Sequence, residues 1–561
     1  MQRWLLLFLL VLCGPTLHAA TPATAPPFAA VATAHPLATE AGHEILAAGG
    51  NAFDAAVAIT ATLAVVEPTG SGLGGGGFWL LHRAKNGYQT MLDGRERAPL
   101  AAHRDMYLDA NGEVISDLSM DGPLAAGIPG IPAGLAHLAQ HYGNLPLRKS
   151  LAPAIRHARN GFTINESYRR MAQFRLEALR KSSAAASIFL HANEPPPAGY
   201  LLKQPDLADT LEAIAKQGAA GFYSGPVADK LIKGVRRAGG IWTHKDLTSY
   251  RLIERQPLQG TYRGIRITSA APPSSGGIAL ISALNILAGY DQKALDPALN
   301  PIGRTHLITE ALRRAYRDRA IYLGDPDHFT VPVARLTDPR YADGLRASIR
   351  TDRATPSTTL PGNATLSAGN DTTHFSVLDK QGNRVAATLS INFPFGSGFV
   401  APGTGVLLND EMDDFSAKPG VPNIYGLVGG EANAIAPGKR PLSSMSPTFL
   451  ESKNGVAILG TPGGSRIISM VLLSTLDFAA GNGPASWVGL KRFHHQFLPD
   501  MVQHEPGTFS AEQTASLTQL GHTLKEVTDP YGNMQAILWD RKNNKVKAAS
   551  DPRGEGTATV R

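Results

Sequence analysis

The sequence predicts a layered α/β protein in which helices cover stacked β-sheets. Helical periodicity dominates the middle of the chain, from about residue 130 to 350, and short alternating strands return after it. Hydrophobic residues make up 43% of the 561 residues, which is enough for a large core. The length exceeds that of a usual single domain, so one large two-chain domain and two subdomains both fit.

The predicted elements follow from local periodicity and from the glycines that interrupt it. A helix from residue 37 ends at Gly49 and Gly50, and an apolar helix over 53–66 follows it. Further helices are predicted over 133–141, 151–160, 166–181, 207–216, 226–238, 278–287 and 305–322. Strands are predicted over 78–82, 264–269, 373–378, 384–391, 457–459 and 535–539.

The first twenty residues have the composition of a secretory signal peptide. Arg3 precedes an unbroken apolar run over 5–12, and Ala19 and Ala20 offer small residues for cleavage. The run is too short to span a membrane. The one cysteine, Cys13, lies in this leader, so ordinary cleavage leaves no thiol, whereas a lipid anchor at Cys13 is the alternative. We expect a periplasmic or secreted protein whose mature form has no membrane span.

Two segments are expected to lie outside the regular structure. Residues 21–35 are rich in Ala, Pro and Thr and are interpreted as a flexible mature N-terminus. Residues 351–370 carry Pro356, Pro361 and Gly362 among Thr, Ser and Asn, which is typical of an exposed linker. The formal charge of +7 is spread along the chain without a basic block, so no nucleic-acid partner is expected.

Residues 72–77 (Gly-Leu-Gly-Gly-Gly-Gly) have the spacing of a dinucleotide-binding fingerprint, but the context is reversed. A predicted helix precedes the glycines and a predicted strand follows them, so no helix N-terminus faces a pyrophosphate. Close packing of the backbone is the better interpretation, and no cofactor is expected. His494 and His495 are adjacent and lack further ligands at metal-site spacing, so no metal is expected either.

Residues 370–379 (Asn-Asp-Thr-Thr-His-Phe-Ser-Val-Leu-Asp) form a polar entry into a short alternating strand. This junction suits a threonine, Thr372, that becomes an N-terminus. A free threonine carries its own general base, because its α-amino group has a pKa of about 7.7 to 8.0 and can accept the hydroxyl proton. The same residues are also common at strand edges without any catalytic role, so the pattern alone leaves both interpretations open.

Further segments in the same order decide between them. Residues 371–377, 409–416 (Asn-Asp-Glu-Met-Asp-Asp-Phe-Ser), 441–448 (Pro-Leu-Ser-Ser-Met-Ser-Pro-Thr) and 461–466 (Thr-Pro-Gly-Gly-Ser-Arg) closely resemble the γ-glutamyltranspeptidase family of N-terminal-nucleophile hydrolases. The resemblance extends upstream through residues 67–78, 93–96 and 272–277. It implies an αββα sandwich whose single precursor is processed into two chains.

The resemblance also implies where the precursor is cut. Cleavage of the Asp371–Thr372 bond would give a large subunit, 21–371, and a small catalytic subunit, 372–561, which form a heterodimer. The small subunit would contain 561 minus 371, or 190, residues. Thr372 Oγ would attack the preceding carbonyl and exchange the amide for an ester that water hydrolyses.

By the same resemblance, Arg95 binds the α-carboxylate of a γ-glutamyl substrate, and Ser443 and Ser444 complete its hydrogen bonds. Gly463 and Gly464 match the oxyanion hole, where glycine backbone N–H groups approach a developing alkoxide. Arg97, two residues after Arg95, is the competing arginine.

Two acidic residues match the acceptors of the substrate ammonium. Glu411 and Asp414 stand three residues apart, so both meet one ligand if this segment turns helically. Asp413, between them, is expected to be solvated. Without the neighbouring motifs, this acidic run is typical of an exposed turn.

One position departs from the family pattern. Eighteen residues after Thr372, where the family commonly has a second threonine that hydrogen-bonds the nucleophile, this chain has Ser390, followed by the usual Asn392. Serine keeps the hydroxyl but lacks the β-methyl group that restricts the rotamer. We expect slower processing or turnover rather than loss.

Residues 418–430 resemble the lid over the glutamyl site, with Tyr425 as its aromatic wall. The lid favours γ-glutamyl compounds, above all glutathione, with water, an amino acid or a peptide as the acceptor. The alternatives are a cephalosporin (glutaryl) acylase of the same fold, which generally lacks such a lid, and a glutathione-binding protein that is never processed.

Overall fold

The computed structural model describes residues 25–360, 372–418, 420, 421, 427 and 429–561. The predicted signal peptide, residues 1–20, lies outside the described residues, as do Asp371 and Tyr425. Two antiparallel sheets stack face to face, and helices cover the outer face of each. The layered fold predicted from the sequence is therefore confirmed.

The strands are β1 (Ala30–Thr33), β2 (Gly76–Arg83), β3 (Tyr88–Gly94), β4 (Phe162–Thr163), β5 (Leu201–Leu202), β6 (Ile253–Arg255), β7 (Leu258–Tyr262), β8 (Ile265–Ser269), β9 (Thr373–Leu378), β10 (Arg384–Ser390), β11 (Thr448–Glu451), β12 (Gly455–Gly460), β13 (Phe493–His494), β14 (Val502–His504), β15 (Leu524–Glu526), β16 (Gln535–Asp540), β17 (Lys545–Ser550) and β18 (Thr557–Val560). All six predicted strands are present, and their bounds differ from the predictions by two residues at most.

The helices are α1 (Pro36–Ala47), α2 (Ala52–Val66), α3 (Ile131–His141), α4 (Leu147–Asn160), α5 (Glu166–Phe174), α6 (Leu176–Lys181), α7 (Ser183–Phe189), α8 (Pro205–Gln217), α9 (Ala220–Tyr223), α10 (Gly225–Arg237), α11 (His244–Thr248), α12 (Gly276–Ala288), α13 (Pro301–Tyr322), α14 (Val333–Leu336), α15 (Pro339–Ala347), α16 (Ile467–Ala479), α17 (Pro484–Gly489) and α18 (Ala511–Gln519). Asn51 caps α2 by accepting hydrogen bonds from Phe53 and Asp54 N–H, which fixes the start of this buried helix.

The first sheet has the strand order β18-β1-β9-β10-β2-β3-β6, and the second has the order β17-β16-β12-β11-β8-β7. Strands β9 and β10 lie against β12 and β16, so the centres of the two sheets meet. Helix α2 covers the other face of β9 and β10, while α12 and α16 cover the second sheet. Strands from both halves of the sequence therefore build one continuous sandwich.

Both faces of the central strands are buried, so apolar side chains occupy both faces of β2. In β2, Trp79 packs against α2, in the core between the first sheet and its covering helices. Phe78 packs on the opposite face, in the core that the two sheets and helices α12 and α16 form together. The indole N–H of Trp79 donates to Thr60 Oγ1 in α2 at 3.1 Å, which satisfies the polar atom of this fully buried side chain.

The register of β9 and β10 positions the candidate nucleophile. Thr373 pairs with Leu389, and the same antiparallel register continued by one residue sets Thr372 opposite Ser390. Side chains alternate between the faces of a strand, so Thr372 shares the inner face with His374 and Ser376. His374 lies against Gly460 at the end of β12, where an added Cβ would come within 2.3 Å of the imidazole. The hydroxyl of Thr372 therefore faces the end of the second sheet.

The predictions for the two irregular segments were partly wrong. Residues 30–33 form β1, which pairs with both β9 and β18, because the Ala-Val-Ala-Thr side chains are small enough to be buried on both faces. In the predicted linker, Ser357 is fully buried, and its N–H donates to Asp500 at 2.7 Å. Local composition did not indicate these distant partners.

The single helix predicted over 166–181 is two helices, α5 and α6, separated at Arg175. The buried guanidinium of Arg175 donates to the carbonyl groups of Pro394 and Gly396, at 3.1 and 2.9 Å. These tertiary contacts outweigh the local helical propensity.

Within the described residues, no helix is long and apolar enough to cross a membrane. The same part of the chain contains no group of three or more His, Cys, Asp or Glu side chains that could hold a metal ion. His494 and His495 are buried and hydrogen-bonded, to Ser469 and Asp500 among others.

Candidate active site

Thr372 lies just before β9, and its side chain is almost fully buried. Its Oγ1 is 3.4 Å from Ser390 Oγ on the neighbouring strand. Ser390 Oγ also accepts the backbone N–H of Asn392 at 2.8 Å, and the Asn392 amide donates to the Asp410 carbonyl at 3.1 Å. Asn392 has a φ of 75°, so the chain turns sharply directly after β10. This turn holds Ser390 beside Thr372.

The residue after Thr372 is anchored from the opposite side of the strand. Thr373 Oγ1 donates to Glu67 Oε2 at 2.6 Å. Burial raises the pKa of Glu67 to about 7, and the hydrogen bond from Thr373 works in the opposite direction. Glu67 follows α2 directly, so this contact joins the start of β9 to the helical layer.

Arg95 follows β3 and is fully buried. Its guanidinium contacts Glu411 at 2.5 Å and forms an ion pair and hydrogen bond with Asp414. Its Nε donates to the Pro441 carbonyl at 3.2 Å. The arginine predicted to bind a substrate carboxylate therefore contacts both of the acids predicted to bind a substrate ammonium.

Glu411 and Asp414 come from a single 3₁₀ turn, Glu411–Asp414, so the condition under which both acids meet one ligand is fulfilled. The turn is fixed by Asn409, whose Oδ1 accepts the N–H of Glu411 and whose amide donates to Gly74 and Gly127 carbonyls. The backbone at this point is therefore rigidly placed against the glycine-rich segment.

Burial raises the pKa of the Glu411 carboxyl to about 8, although the nearby Arg95 lowers it. Burial also raises the pKa of Glu96 well above its ordinary value, and the negative charge of Glu411 adds to this shift. One guanidinium therefore faces several buried acids, and this arrangement favours protonated carboxyl groups near neutral pH.

Ser443 and Ser444 lie beside the second sheet, where residue 443 pairs with Ser274 in an isolated parallel bridge. The N–H of Ser275 donates to the Ser443 carbonyl at 2.8 Å. Ser444 Oγ lies 3.3 Å from a guanidinium nitrogen of Arg319, on α13.

Gly463 and Gly464 follow β12 and have φ angles of 136° and 54°. Both angles lie in the region that favours glycine, so the backbone can turn tightly here without a side chain in the way. The following residue, Ser465, has its carbonyl bound by the buried Tyr316 hydroxyl. Helix α16 begins two residues later.

These elements enclose a small cavity with about 20 Å³ of free space, enough for roughly one water molecule. It is lined by Arg95, Thr372, Ser390, Asn392, Asp414, Leu427, Ser443, Ser444, Met445, Gly464 and Ile467. Most of the residues named from the sequence thus meet at one place. Glu411 contacts the lining residue Arg95, and Gly463 directly precedes the lining residue Gly464.

The sequence did not indicate several residues that support the cavity. Arg319 contacts the site residue Ser444. Tyr316 contacts Ser465, which follows Gly464, and Glu67 contacts Thr373, which follows Thr372. Contacts with residues that are distant in the sequence identify them, and only the structure gives these contacts.

One prediction in the acidic turn was wrong. Asp413 is buried rather than solvated, because its carboxylate accepts a hydrogen bond from Ser119 at 2.7 Å. The glycine-rich segment does serve for close packing: a Cβ on Gly75 would lie 2.1 Å from the Ser390 carbonyl oxygen. Gly75 therefore lets β2 approach the strand that carries Ser390.

Comparison with known proteins agrees with this arrangement. A family model described as gamma-glutamyltranspeptidase matches residues 38–560. The chain is 43% identical over 537 residues to the glutathione hydrolase proenzyme of Escherichia coli, covering 94% of this chain and 91% of the relative. It is 42% identical over 538 residues to the proenzyme of Pseudomonas aeruginosa, covering 95% and 94%.

Solved structures share the fold. A cephalosporin acylase from Bacillus halodurans is similar with a TM-score of 0.84 at 28% identity, covering 98% of this chain and 99% of that one. A chain of Helicobacter pylori gamma-glutamyltranspeptidase is similar with a TM-score of 0.57 at 43% identity, covering 58% and 93%. The match along nearly the whole sequence, together with these folds, leads to one conclusion: the chain belongs to the γ-glutamyltranspeptidase family of N-terminal-nucleophile hydrolases.

Proposed function

We propose that this protein is a γ-glutamyltransferase and glutathione hydrolase with Thr372 as its nucleophile. The observation that carries the proposal is the meeting of Arg95, Glu411 and Asp414 beside the Thr372 hydroxyl. A γ-glutamyl group ends in an α-carboxylate and an α-ammonium. The arginine suits the carboxylate and the two acids suit the ammonium, so the site is complementary to this zwitterion.

Maturation precedes catalysis in this proposal. Residues 1–20 direct export to the periplasm or the exterior and are removed, and Thr372 Oγ1 then attacks the carbonyl carbon of Asp371. The C–N bond breaks, which frees the α-amine of Thr372 and leaves the acyl group as an ester on Oγ1. Water then hydrolyses the ester, which gives the Asp371 carboxylate and regenerates the Thr372 hydroxyl. The large subunit, 21–371, and the small subunit, 372–561, remain together because β1 of the first and β9 of the second pair in one sheet.

The chemistry is a two-step acyl transfer. The α-amine of Thr372 takes the hydroxyl proton while Oγ1 attacks the γ-carbonyl carbon, and the N–H groups of Gly463 and Gly464 stabilise the oxyanion. The amine returns the proton to the leaving nitrogen of cysteinylglycine, and a γ-glutamyl ester remains on Thr372. Water, an amino acid or a peptide then attacks the ester, and the hydroxyl of Thr372 is regenerated.

Other polar groups have supporting roles in this mechanism. Ser443 and Ser444 add hydroxyl donors to the carboxylate, and Ser390 with Asn392 holds the Thr372 hydroxyl in place. Tyr425 would cover the donor as part of the lid. The slower processing or turnover expected from serine at position 390 stays a prediction.

The second candidate is a glutaryl-cephalosporin acylase, since the similar Bacillus halodurans structure is that of a cephalosporin acylase. A glutaryl group equals a γ-glutamyl group without the ammonium, so it would leave Glu411 and Asp414 without their cationic partner. Buried acids that lose a partner are costly, which favours γ-glutamyl donors. The curated relatives that are 42–43% identical carry the glutathione hydrolase name.

A matched pair of anilides tests this choice. We expect kcat/KM for the γ-glutamyl anilide to exceed that for the glutaryl anilide by about 10² or more, because the pair differs only in the ammonium. Glutathione and a glutaryl-cephalosporin should rank in the same order. Faster turnover of both glutaryl compounds would instead establish the acylase.

The raised pKa of Glu411 gives a pH prediction. Below pH 8 this carboxyl is mostly protonated and attracts an ammonium weakly, and above pH 8 it is ionised. We therefore expect KM for the γ-glutamyl anilide to fall as pH rises from 6 to 8.5. Glu411→Gln should flatten this fall and raise KM about tenfold at pH 8.5.

Asp413→Asn is the matched control, since it removes a buried carboxylate of the same turn that is bonded to Ser119. It should keep the pH dependence of the wild type. An equally steep fall of KM in Glu411→Gln would mean that another group, such as the Thr372 amine, accounts for the profile.

A further inference from the structure

Arg319 stands directly behind the proposed carboxylate site. It belongs to the last turn of α13 and is only 4% exposed. Its Nε donates to Ser275 Oγ at 3.0 Å, and its Nη2 donates to Ser444 Oγ at 3.3 Å. Both partners are neutral hydroxyl groups.

No carboxylate among the described residues forms an ion pair with Arg319. Three other buried arginines behave differently: each contacts a carboxylate, Arg313 that of Glu310, Arg384 that of Glu451 and Arg492 that of Asp551. Burying a cation without an opposite charge is unfavourable, and here it lowers the pKa of Arg319. The fold therefore keeps beside the cavity a positive charge that no described carboxylate contacts directly, and Asp414 attracts it only at longer range.

The hydrogen bonds of Arg319 determine how its two serine partners are oriented. A guanidinium only donates, so the Ser444 oxygen accepts from Arg319 and its own proton is left for another acceptor. No described residue accepts that proton, and Ser444 lines the cavity. Ser275 likewise accepts from Arg319 and donates to the Ser443 carbonyl at 2.7 Å. Arg319 thus fixes the hydroxyl of Ser444 and, through Ser275, the backbone of Ser443.

We infer that Arg319 is a positioning residue for the α-carboxylate of the γ-glutamyl donor, acting through Ser444. This inference rests on the proposed function. Arg319 orients the Ser444 O–H towards the carboxylate, and its charge increases the affinity of the site for an anion. In the complex the donor ammonium pairs with Glu411 and Asp414, and the donor carboxylate offsets the positive charge of Arg319.

Two donors separate this role from a purely structural one. The γ-glutamyl anilide carries the α-carboxylate, and the 4-aminobutyryl anilide is the same donor without it. In Arg319→Gln we expect KM for the first donor to rise about 10- to 100-fold, because charge-assisted binding is lost. For the second donor, kcat/KM should change less than about threefold. Arg319→Lys keeps the charge but not the two-pronged geometry, so its KM for the γ-glutamyl anilide should lie between those of the wild type and Arg319→Gln.

Controls keep the outcome decisive. Arg317→Gln removes the same charge from the same helix, at a side chain that contacts Asp318, and should leave both donors unaffected. Ser444→Ala should raise KM selectively as well, and adding Arg319→Gln to it should cause little further change. If Arg319→Gln does not fold, Ser444→Ala and Arg319→Lys provide the test instead.

Equal losses for both donors, or an unchanged KM, would overturn the role of Arg319. Fully additive effects of Arg319→Gln and Ser444→Ala would overturn the path through Ser444. If the wild-type protein turns over neither donor nor glutathione, the proposed function itself fails. These outcomes are distinguishable because the wild type is measured first.

Discussion

Replacing Thr372 with alanine is expected to abolish self-cleavage and turnover together. In the proposed mechanism both reactions use the same Oγ1, first on the Asp371 carbonyl and then on the γ-glutamyl carbonyl. Removing a nucleophile eliminates the covalent path, so kcat should fall by roughly 10⁴-fold or more. Gel analysis should show one uncut chain, and the γ-glutamyl anilide assay should show no release above background.

Two variants serve as controls for this result. Thr372→Ser keeps the hydroxyl and should still be processed, although more slowly, because serine lacks the β-methyl group that restricts the rotamer. Thr373→Ala removes the neighbouring hydroxyl, which is bonded to Glu67 on the other face of the strand, and should mature and turn over. A Thr372→Ala protein that appeared as two chains would point to an outside protease.

Replacing Arg95 should have the second-largest effect. Arg95→Gln removes the cation from the Glu411 and Asp414 ion pairs and the guanidinium from the carboxylate site. We expect kcat/KM for the γ-glutamyl anilide to fall about 10²- to 10³-fold. Breaking a buried ion pair on one side typically costs about 3–5 kcal/mol, so the free energy of unfolding should also drop.

The neighbouring Arg97 provides the matched control. Its guanidinium donates to the carbonyl groups of Gly438 and Ser249, at 2.8 and 3.3 Å. Arg97→Gln should therefore lower stability only modestly and leave KM close to that of the wild type. A larger loss of turnover in Arg97→Gln than in Arg95→Gln would show that Arg97, and not Arg95, binds the donor carboxylate.

The small free volume of the cavity also determines how a donor can bind beside Arg95. With Arg95 paired to Glu411 and Asp414, the cavity has room for roughly one water molecule. In the proposed mechanism a donor exchanges these contacts: its ammonium binds the two acids and its carboxylate binds Arg95. Binding then replaces one set of buried charge pairs by another, so little charge is left unpaired.

The elements nearest the site could be predicted well from the sequence. Residues 373–378 and 384–390 alternate and flank a short polar turn, so their hairpin and its register follow from local pattern. That register sets position 390 opposite position 372, which explains why the two hydroxyls are eighteen residues apart. Glycine at 463 and 464 also follows from a local need for unusual φ angles.

The missed features depend on partners that are distant in the sequence. Strand β1 exists because it fits between β9 and β18, and Ala-Val-Ala-Thr alone is too short to indicate a strand. The roles of Glu67 and Arg319 arise from burial against Thr373 and Ser444, more than one hundred residues away in each case. Periodicity cannot report such contacts, because it describes which face of an element is buried and not what covers it.

The most direct measurement is the mass and N-terminal sequence of the purified wild-type protein, before and during rapid mixing with excess γ-glutamyl anilide. We predict a small chain of 190 residues that begins at Thr372 and transiently gains the mass of one glutamyl residue, mapped to its N-terminal peptide. An uncut wild type without turnover, or a glutamyl adduct on any peptide lacking Thr372, would contradict the proposed mechanism.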